Sequence, residues 1–409
     1  MNSENSISKD KNILLDLTNG NNESKDYKYL INHFCGTIVT TISEIQIPVK
    51  DKKIYVCGDI EQLENGNTPL DLYVIKEISI HHEKSNKENI HLITLGKVPI
   101  LISNSGVYFR RFFDDNEYFN KIKSEHEFQH LTESNKDAKA LRKGIYLSEI
   151  VKEKAENDNE KLHFNLLRCS SNLTGPTDNF RETDTTIITT LNDEIKYLFE
   201  KEIKLNHVLV QIYENKLKTD ANTKQVKSKI KAHSDKTKDM PKEGLIVFCT
   251  FYDKTNFDQL KPSETDKFDW VYKQTSGLTR LHFKLKNTVD DPSLEKEFSV
   301  TLYPNSVFLI PLSTNRLYTH EIKPSVLNVD QIPIRMGYVI RCSNLEAVYM
   351  NNQTYIKENG KRIQLESMTS ETMENLRNSY YEENKTEKKV DYGKVHFSMN
   401  SGDYEKPIY

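Results

Sequence analysis

The sequence predicts an α+β fold: a β sandwich or jelly roll with supporting helices, preceded by a β-rich extension. Three observations carry that prediction. Short strand-like runs follow one another closely, at 207–213, 229–235, 245–252, 278–285, 298–302, 306–310 and 334–342. Turn residues separate them. Helical patterns are few and come earlier, at about 116–130 and 186–203, which is the order of an α+β chain rather than of one built on helices throughout.

Taken in order, residues 1–27 are rich in Ser, Asn, Lys and Asp and are expected to be a disordered tail. Residues 28–105 carry short β-rich runs near 36–43, 53–57, 71–75 and 90–95, with turn residues such as those at 64–69 between them. They read as a small β domain, or an extension packed on the main one, with no chemistry of its own. The main domain is expected over 106–350. A polar stretch runs through 131–146, and the loop Gly175-Pro176-Thr177-Asp178-Asn179-Phe180 precedes the core strands. From Thr186 to Ile203 apolar residues recur at helical spacing, predicting an amphipathic helix against the sheet. Residues 351–409 are expected to be a partly disordered C-terminal extension.

Composition narrows the function only slightly. A net charge of -3 argues neither for nor against a nucleic-acid partner. No run of about 18 apolar residues suggests a membrane span, so no membrane partner is expected. The N-terminus lacks the apolar stretch of a secretory signal. The five cysteines are odd in number and include no CxxC pair, and so read as reduced thiols in an intracellular protein, cytoplasmic or nuclear.

The informative residues are His233-Ser234-Asp235. An imidazole and a carboxylate at i and i+2 of an extended strand share a face. His320 follows at a turn after the strand 306–310. Together they form the 2-His-1-carboxylate set that holds Fe(II) and leaves positions for a bidentate 2-oxo acid and O2. A His-x-Asp pair alone is a common coincidence; the order around it gives it weight. The preceding strand ends in Tyr213, an apolar strand follows, and then comes Ile334-Arg335-Met336-Gly337-Tyr338-Val339-Ile340-Arg341. On that strand Arg335, Gly337, Val339 and Arg341 share a face. An arginine within an apolar strand needs a buried partner, and a guanidinium pairs bidentately with a carboxylate. The expected anion is 2-oxoglutarate.

About 106–349 resembles the AlkB family of Fe(II)/2-oxoglutarate dioxygenases. The resemblance rests on Val208-Leu209-Val210-Gln211-Ile212-Tyr213, His233-Ser234-Asp235, His320 and the arginines Arg335 and Arg341. It implies a double-stranded β-helix core with His233, Asp235 and His320 as metal ligands. It also implies that Tyr213 hydrogen-bonds the cosubstrate, that Arg335 clamps its far carboxylate, and that Arg341 supports the carboxylate nearer the metal or the substrate base. Three positions depart from the family pattern: Gln211 stands for the usual Asn, Gly337 for a second Asn, and Val339 for Thr. Gln211 keeps an amide; Gly337 does not, which implies a wider or weaker cosubstrate pocket. Glu125-His126-Glu127-Phe128 and 175–180 are similar to a divergent, large eukaryotic and viral subgroup.

The resemblance implies hydroxylation or oxidative demethylation of an alkylated nucleic acid base, in DNA or RNA. A protein side-chain hydroxylase or demethylase, and a catalytically inactive binding module, remain as alternatives. Between Lys216 and Lys242 nine lysines face three acids, Asp220, Asp235 and Asp239. That flank is either a rim for phosphates or a solvated loop. Phe180 is either a stacking platform on a lid or the buried residue of a Gly-Pro turn.

Overall fold

The computed structural model describes residues 4–45, 51–63, 70–84, 88–114, 117–133, 136–154, 160–169, 173–218 and 224–409. The fold is α+β and mostly strands, with five α-helices among the described residues. Two sheets face each other at its centre. The larger has nine strands, and its spine runs Lys136–Ser148, His207–Tyr213, Arg335–Arg341, Leu245–Tyr252, Ser306–Pro311, Gly106–Phe109. Neighbours along that spine are antiparallel. The smaller sheet has four antiparallel strands, in the order Ile230–His233, Tyr318–Ile322, Arg280–Leu285, Glu297–Thr301.

Leu245–Tyr252 shows why the sheets stack. All eight of its residues are buried, because both of its faces are covered. Leu245, Val247, Cys249 and Phe251 pack with Ile187, Leu191 and Ile195 of the helix Glu182–Ile195. The alternate residues Ile246 and Phe248 pack against Leu281, Phe283, Val300 and Ile322 of the smaller sheet. The same alternation divides the arginine strand. Met336, Tyr338 and Ile340 join the helix-side core, and Arg335, Gly337, Val339 and Arg341 turn into the gap between the sheets.

The N-terminal region differs from expectation. Asn12–Leu17, within the segment expected to be disordered, is a strand whose apolar residues are at most 5% exposed. It sits second in a five-stranded, all-parallel sheet ordered Thr37–Val39, Asn12–Leu17, Lys53–Asp59, Leu72–Ile80, Ile90–Ile93. Composition averaged over 27 residues hides one short apolar strand flanked by polar anchors. Asn12 donates through its side-chain amide to the Tyr197 carbonyl at 2.8 Å, and Asn5 to that of Lys201 at 3.0 Å. The expected boundary at 105/106 falls inside a hairpin, Ile100–Ile102 with Gly106–Phe109, at the edge of the large sheet.

The C-terminal region is likewise ordered. Leu345–Met350 pairs with Gln353–Glu358 in a second five-stranded sheet that begins with Val151–Lys154 and Glu160–Leu166. The helix Ser370–Lys385 starts at Thr369, whose hydroxyl accepts from the Thr372 N–H. Tyr380 of that helix donates to the Arg168 carbonyl at 3.0 Å. Beyond it Phe397, Ser398, Asn400 and Asp403 are buried. Elsewhere the helix expected over 116–130 is Tyr118–Glu125 followed by the strand Gln129–Glu133, and the helix expected over 186–203 is Glu182–Ile195.

Glu125-His126-Glu127-Phe128 and 175–180 meet in one buried network. His126 lies 2.7 Å from Asp178 and 2.8 Å from Asp184, and Tyr338 donates to Asp184 at 2.8 Å. Burial opposes a charge on His126, but the two carboxylates outweigh it and push its pKa from 6.5 up to about 9. A raised folded-state value contributes stability below pH 6.5 that is lost as pH rises through about 9. The melting temperature should therefore fall between those pH values, by the equivalent of roughly 3 kcal/mol. His126→Gln should remove that slope; an equal slope in the variant would assign it to another group.

Candidate metal centre

His233 ends its strand directly opposite His320 in the antiparallel register of the smaller sheet. The ring centroids are 4.4 Å apart. Asp235 lies two residues past His233, beyond the strand end, so strand alternation does not aim it. Asn315 does: the Asp235 N–H donates to its side-chain oxygen at 2.8 Å, and its amide donates back to the Asp235 carbonyl at 2.9 Å. Ser234 is held between Asn384, which accepts from its N–H, and the Tyr318 carbonyl. His320, expected at a turn, stands in the middle of the strand Tyr318–Ile322, after the short helix Leu312–Leu317.

Asp235 Oδ1 is 3.5 Å from His233 Nε2 and 3.8 Å from His320 Nε2, and the three donor atoms lie within 4.8 Å of one another. Ligands at about 2.1 Å from one ion are about 3.0–3.4 Å apart, so small shifts close the set. The nitrogens present lone pairs. His233 Nδ1 is 2.9 Å from the Lys231 carbonyl, which only accepts, and the tautomer that donates there leaves the Nε2 lone pair toward the site. Burial, reinforced by the neighbouring His233, lowers His320 to about 3 and keeps it neutral.

Arg341 holds the other carboxylate oxygen. Its Nε and Nη2 donate to Asp235 Oδ2 at 2.9 and 2.6 Å. Burial works to raise the Asp235 carboxyl, but the Arg341 charge and the two imidazoles hold it well below the usual carboxylate range. Thus Asp235 is anionic, oriented, and free at Oδ1. The position expected for Arg341, beside a cosubstrate carboxylate, is therefore only partly available: two of its nitrogens serve Asp235, and buried Nη1 has no hydrogen-bond partner among the described residues.

A cavity of about 390 Å³ opens from the ligands into the gap between the sheets. Phe248, Leu281, Leu302 and Val339 form apolar wall, and Arg335, Tyr213 and Gln211 line it too. Arg335 is 5% exposed, has no acidic partner among the described residues, and its buried Nη2 makes no hydrogen bond. Its guanidinium lies over the Tyr213 ring, 4.0 Å from the centroid. The Tyr213 hydroxyl donates to Gln211 at 2.7 Å. Gly337 leaves room for this stack: a Cβ there would stand 3.0 Å from Arg335 Nη1 and 3.2 Å from Tyr213 Cε2, close enough that one of them would have to give by a few tenths of an ångström.

Sequence reasoning missed part of the lining. Thr250 faces the cavity with an unpartnered, buried hydroxyl, and was legible as the polar residue on the inward face of an apolar strand. Arg377, Tyr380, Tyr381 and Asn384 come from the C-terminal helix, and no local signal ties that helix to this site. Lys236, from the lysine-rich flank, also lines it and lies over the Tyr380 ring at 4.1 Å. Other flank lysines are scattered. Lys229 and Lys231 are exposed, Lys227 donates to the Ser325 carbonyl, and Lys238 pairs with Asp239; Asp220 lies outside the described residues, as does the Lys224 side chain. Phe180 is no stacking platform: it packs half-buried against the helix-side core, away from the cavity lining.

The chain matches no family model and no curated protein.

Proposed function

We propose that this chain is an Fe(II)- and 2-oxoglutarate-dependent dioxygenase on a double-stranded β-helix core. One observation carries the reading: a single cavity offers two imidazoles and a carboxylate converging at one place and an unpaired, buried guanidinium at another. The facing antiparallel sheets fit such a core. When bound, Fe(II), 2-oxoglutarate and O2 would supply oxidation of a substrate C–H bond, coupled to decarboxylation of the oxo acid to succinate.

The chain's own residues bind, orient and exclude water. His233, Asp235 and His320 would hold the ion through Nε2, Oδ1 and Nε2. Arg341 fixes the Asp235 carboxylate from behind, as outer partners of metal ligands do. Arg335 would pair with the far carboxylate of the cosubstrate, and Tyr213 keeps its guanidinium flat and in place. Phe248, Leu281 and Val339 keep the space between them apolar, which strengthens both electrostatic contacts. Gly337→Ala would crowd the guanidinium against the Tyr213 ring and shift one or both by a few tenths of an ångström. The expected result is a several-fold rise in the KM for 2-oxoglutarate with the melting temperature nearly unchanged; an unchanged KM would mean the stack does not position Arg335.

A nucleic acid base is the proposed substrate, supported by the rim. Arg377 and Tyr381 are exposed at the cavity, Lys236 lines it, and the exposed Lys229 and Lys231 flank Ile230 of its lining in the chain. If these residues meet phosphates, log affinity falls with log salt, and replacing Lys229, Lys231 and Arg377 by Ala flattens the slope by about one unit for each phosphate no longer neutralised. Slopes measured on single-stranded and duplex DNA and RNA test this, and no binding at low salt to any of them would sink the nucleic-acid substrate. Activity is tested by succinate release with Fe(II), 2-oxoglutarate and a panel of methylated oligonucleotides and peptides. Release stimulated by oligonucleotides supports the full reading, stimulation by peptides alone moves the substrate to protein, and no release under any condition removes the dioxygenase.

A further inference from the structure

A second cavity, of about 530 Å³, lies at the end of the strand Leu245–Tyr252. Tyr252 stands in its wall, paired in register with Arg335. The lining is aromatic, with Phe257, Phe268, Trp270 and Tyr303 beside Tyr252. Phe257 and Trp270 meet edge to face at 5.0 Å. A guanidinium sits among these rings. Arg110 is only 8% exposed and lies 4.4 Å from the Phe268 centroid and 5.0 Å from that of Tyr29. Its Nη2 is buried with no hydrogen-bond partner, and no carboxylate is within ion-pair distance among the described residues.

The acids nearby are engaged elsewhere. Glu77 accepts from the Leu95 N–H and pairs with Lys267, and Asp266 accepts from the Tyr303 hydroxyl. A buried guanidinium with an unmet N–H is unfavourable unless an anion reaches it. Four cations line the cavity, Arg110, Arg111, Lys254 and Lys267, but Lys267 is paired with Asp26 at 2.9 Å and with Glu77, so Arg110 and Arg111 are the guanidinia there with no ion pair among the described residues. That pair favours a dianion such as a phosphate monoester over a monocarboxylate. The half-buried rings supply flat apolar surface for a planar group, and the volume is in the range of small-molecule sites.

We propose that this cavity binds a phosphate monoester carrying a planar ring, of the chemical class of a nucleoside monophosphate. The site is separate from the candidate metal centre and needs no metal. Trp270 is the chain's sole tryptophan, so its fluorescence reports on this cavity alone.

The experiment titrates metal-free full-length protein with UMP, phenyl phosphate, uridine and inorganic phosphate, following tryptophan emission corrected for absorption. UMP and phenyl phosphate should quench saturably, with uridine and inorganic phosphate at least tenfold weaker. Arg110→Gln, checked for folding by circular dichroism, should weaken UMP at least tenfold. Should that variant not fold, Phe257→Leu should bring UMP close to inorganic phosphate. No saturable quenching by any ligand would overturn the proposal. So would equal affinities for UMP and inorganic phosphate, equal affinities for UMP and uridine, or unchanged UMP affinity in a folded variant.

Discussion

His320→Ala and Asp235→Ala should each abolish Fe(II) binding and succinate formation, and they should differ in what they do to the fold. Each removes one of three ligands, and a facial set of three tolerates no missing member. The consequences for stability diverge because of Arg341. In the metal-free protein Asp235 is the ion-pair partner of that 4%-exposed guanidinium. Truncating it leaves a buried charge without compensation, a loss of about 3–5 kcal/mol. His320 packs its ring between Phe248 and Phe283, each 5.6 Å away, and carries no ion pair of comparable strength. Its loss should cost roughly 1–3 kcal/mol. Urea unfolding of the metal-free proteins measures both. The double variant Asp235→Ala/Arg341→Met should be more stable than Asp235→Ala and equally unable to bind iron. Equal stability of the two would mean that the pair is not what Arg341 depends on.

Arg335→Ala should raise the KM for 2-oxoglutarate by at least about thirtyfold, since removing one partner of a buried charge pair costs about 2–5 kcal/mol. Fe(II) affinity should be unaffected, because Arg335 is not one of the three ligands. Arg335→Lys should recover only part of the loss: a lysine keeps the charge but neither the fork nor the flat stack on Tyr213. Steady-state succinate release across 2-oxoglutarate concentrations tests this. An unchanged KM in Arg335→Ala would move the anion contact to the free nitrogen of Arg341.

Particular residues show what was legible in the sequence. The strands His207–Tyr213 and Leu245–Tyr252 were read at their observed bounds because both are mainly apolar runs, broken in their interiors by Gln211 and Thr250, and almost wholly buried. The 13-residue strand Lys136–Ser148 was missed because its first half is largely charged and its apolar residues gather at Ile145-Tyr146-Leu147. His233, Asp235 and His320 were named as a set, and the structure brings them together, but by a different local geometry. Same-face alternation on one strand does not place Asp235; Asn315, 80 residues away, does. The Arg341–Asp235 pair spans 106 residues and leaves no local trace. Gly337 looked like a lost hydrogen-bond donor, yet its missing Cβ leaves room for Arg335 to lie on Tyr213. The C-terminal helix Ser370–Lys385 falls in the segment expected to be partly disordered, and only tertiary packing brings its Asn384 to Ser234.

The central claim is that one cavity joins the three ligands to Arg335. Calorimetric titration of 2-oxoglutarate under anaerobic conditions, with and without Fe(II), tests it most directly. The account predicts binding that needs both the metal and Arg335: saturable in the wild type with Fe(II), at least about tenfold weaker without it, and at least about thirtyfold weaker in Arg335→Ala with Fe(II) bound. Binding of the same strength with and without Fe(II), or no Fe(II) binding at all, would contradict it.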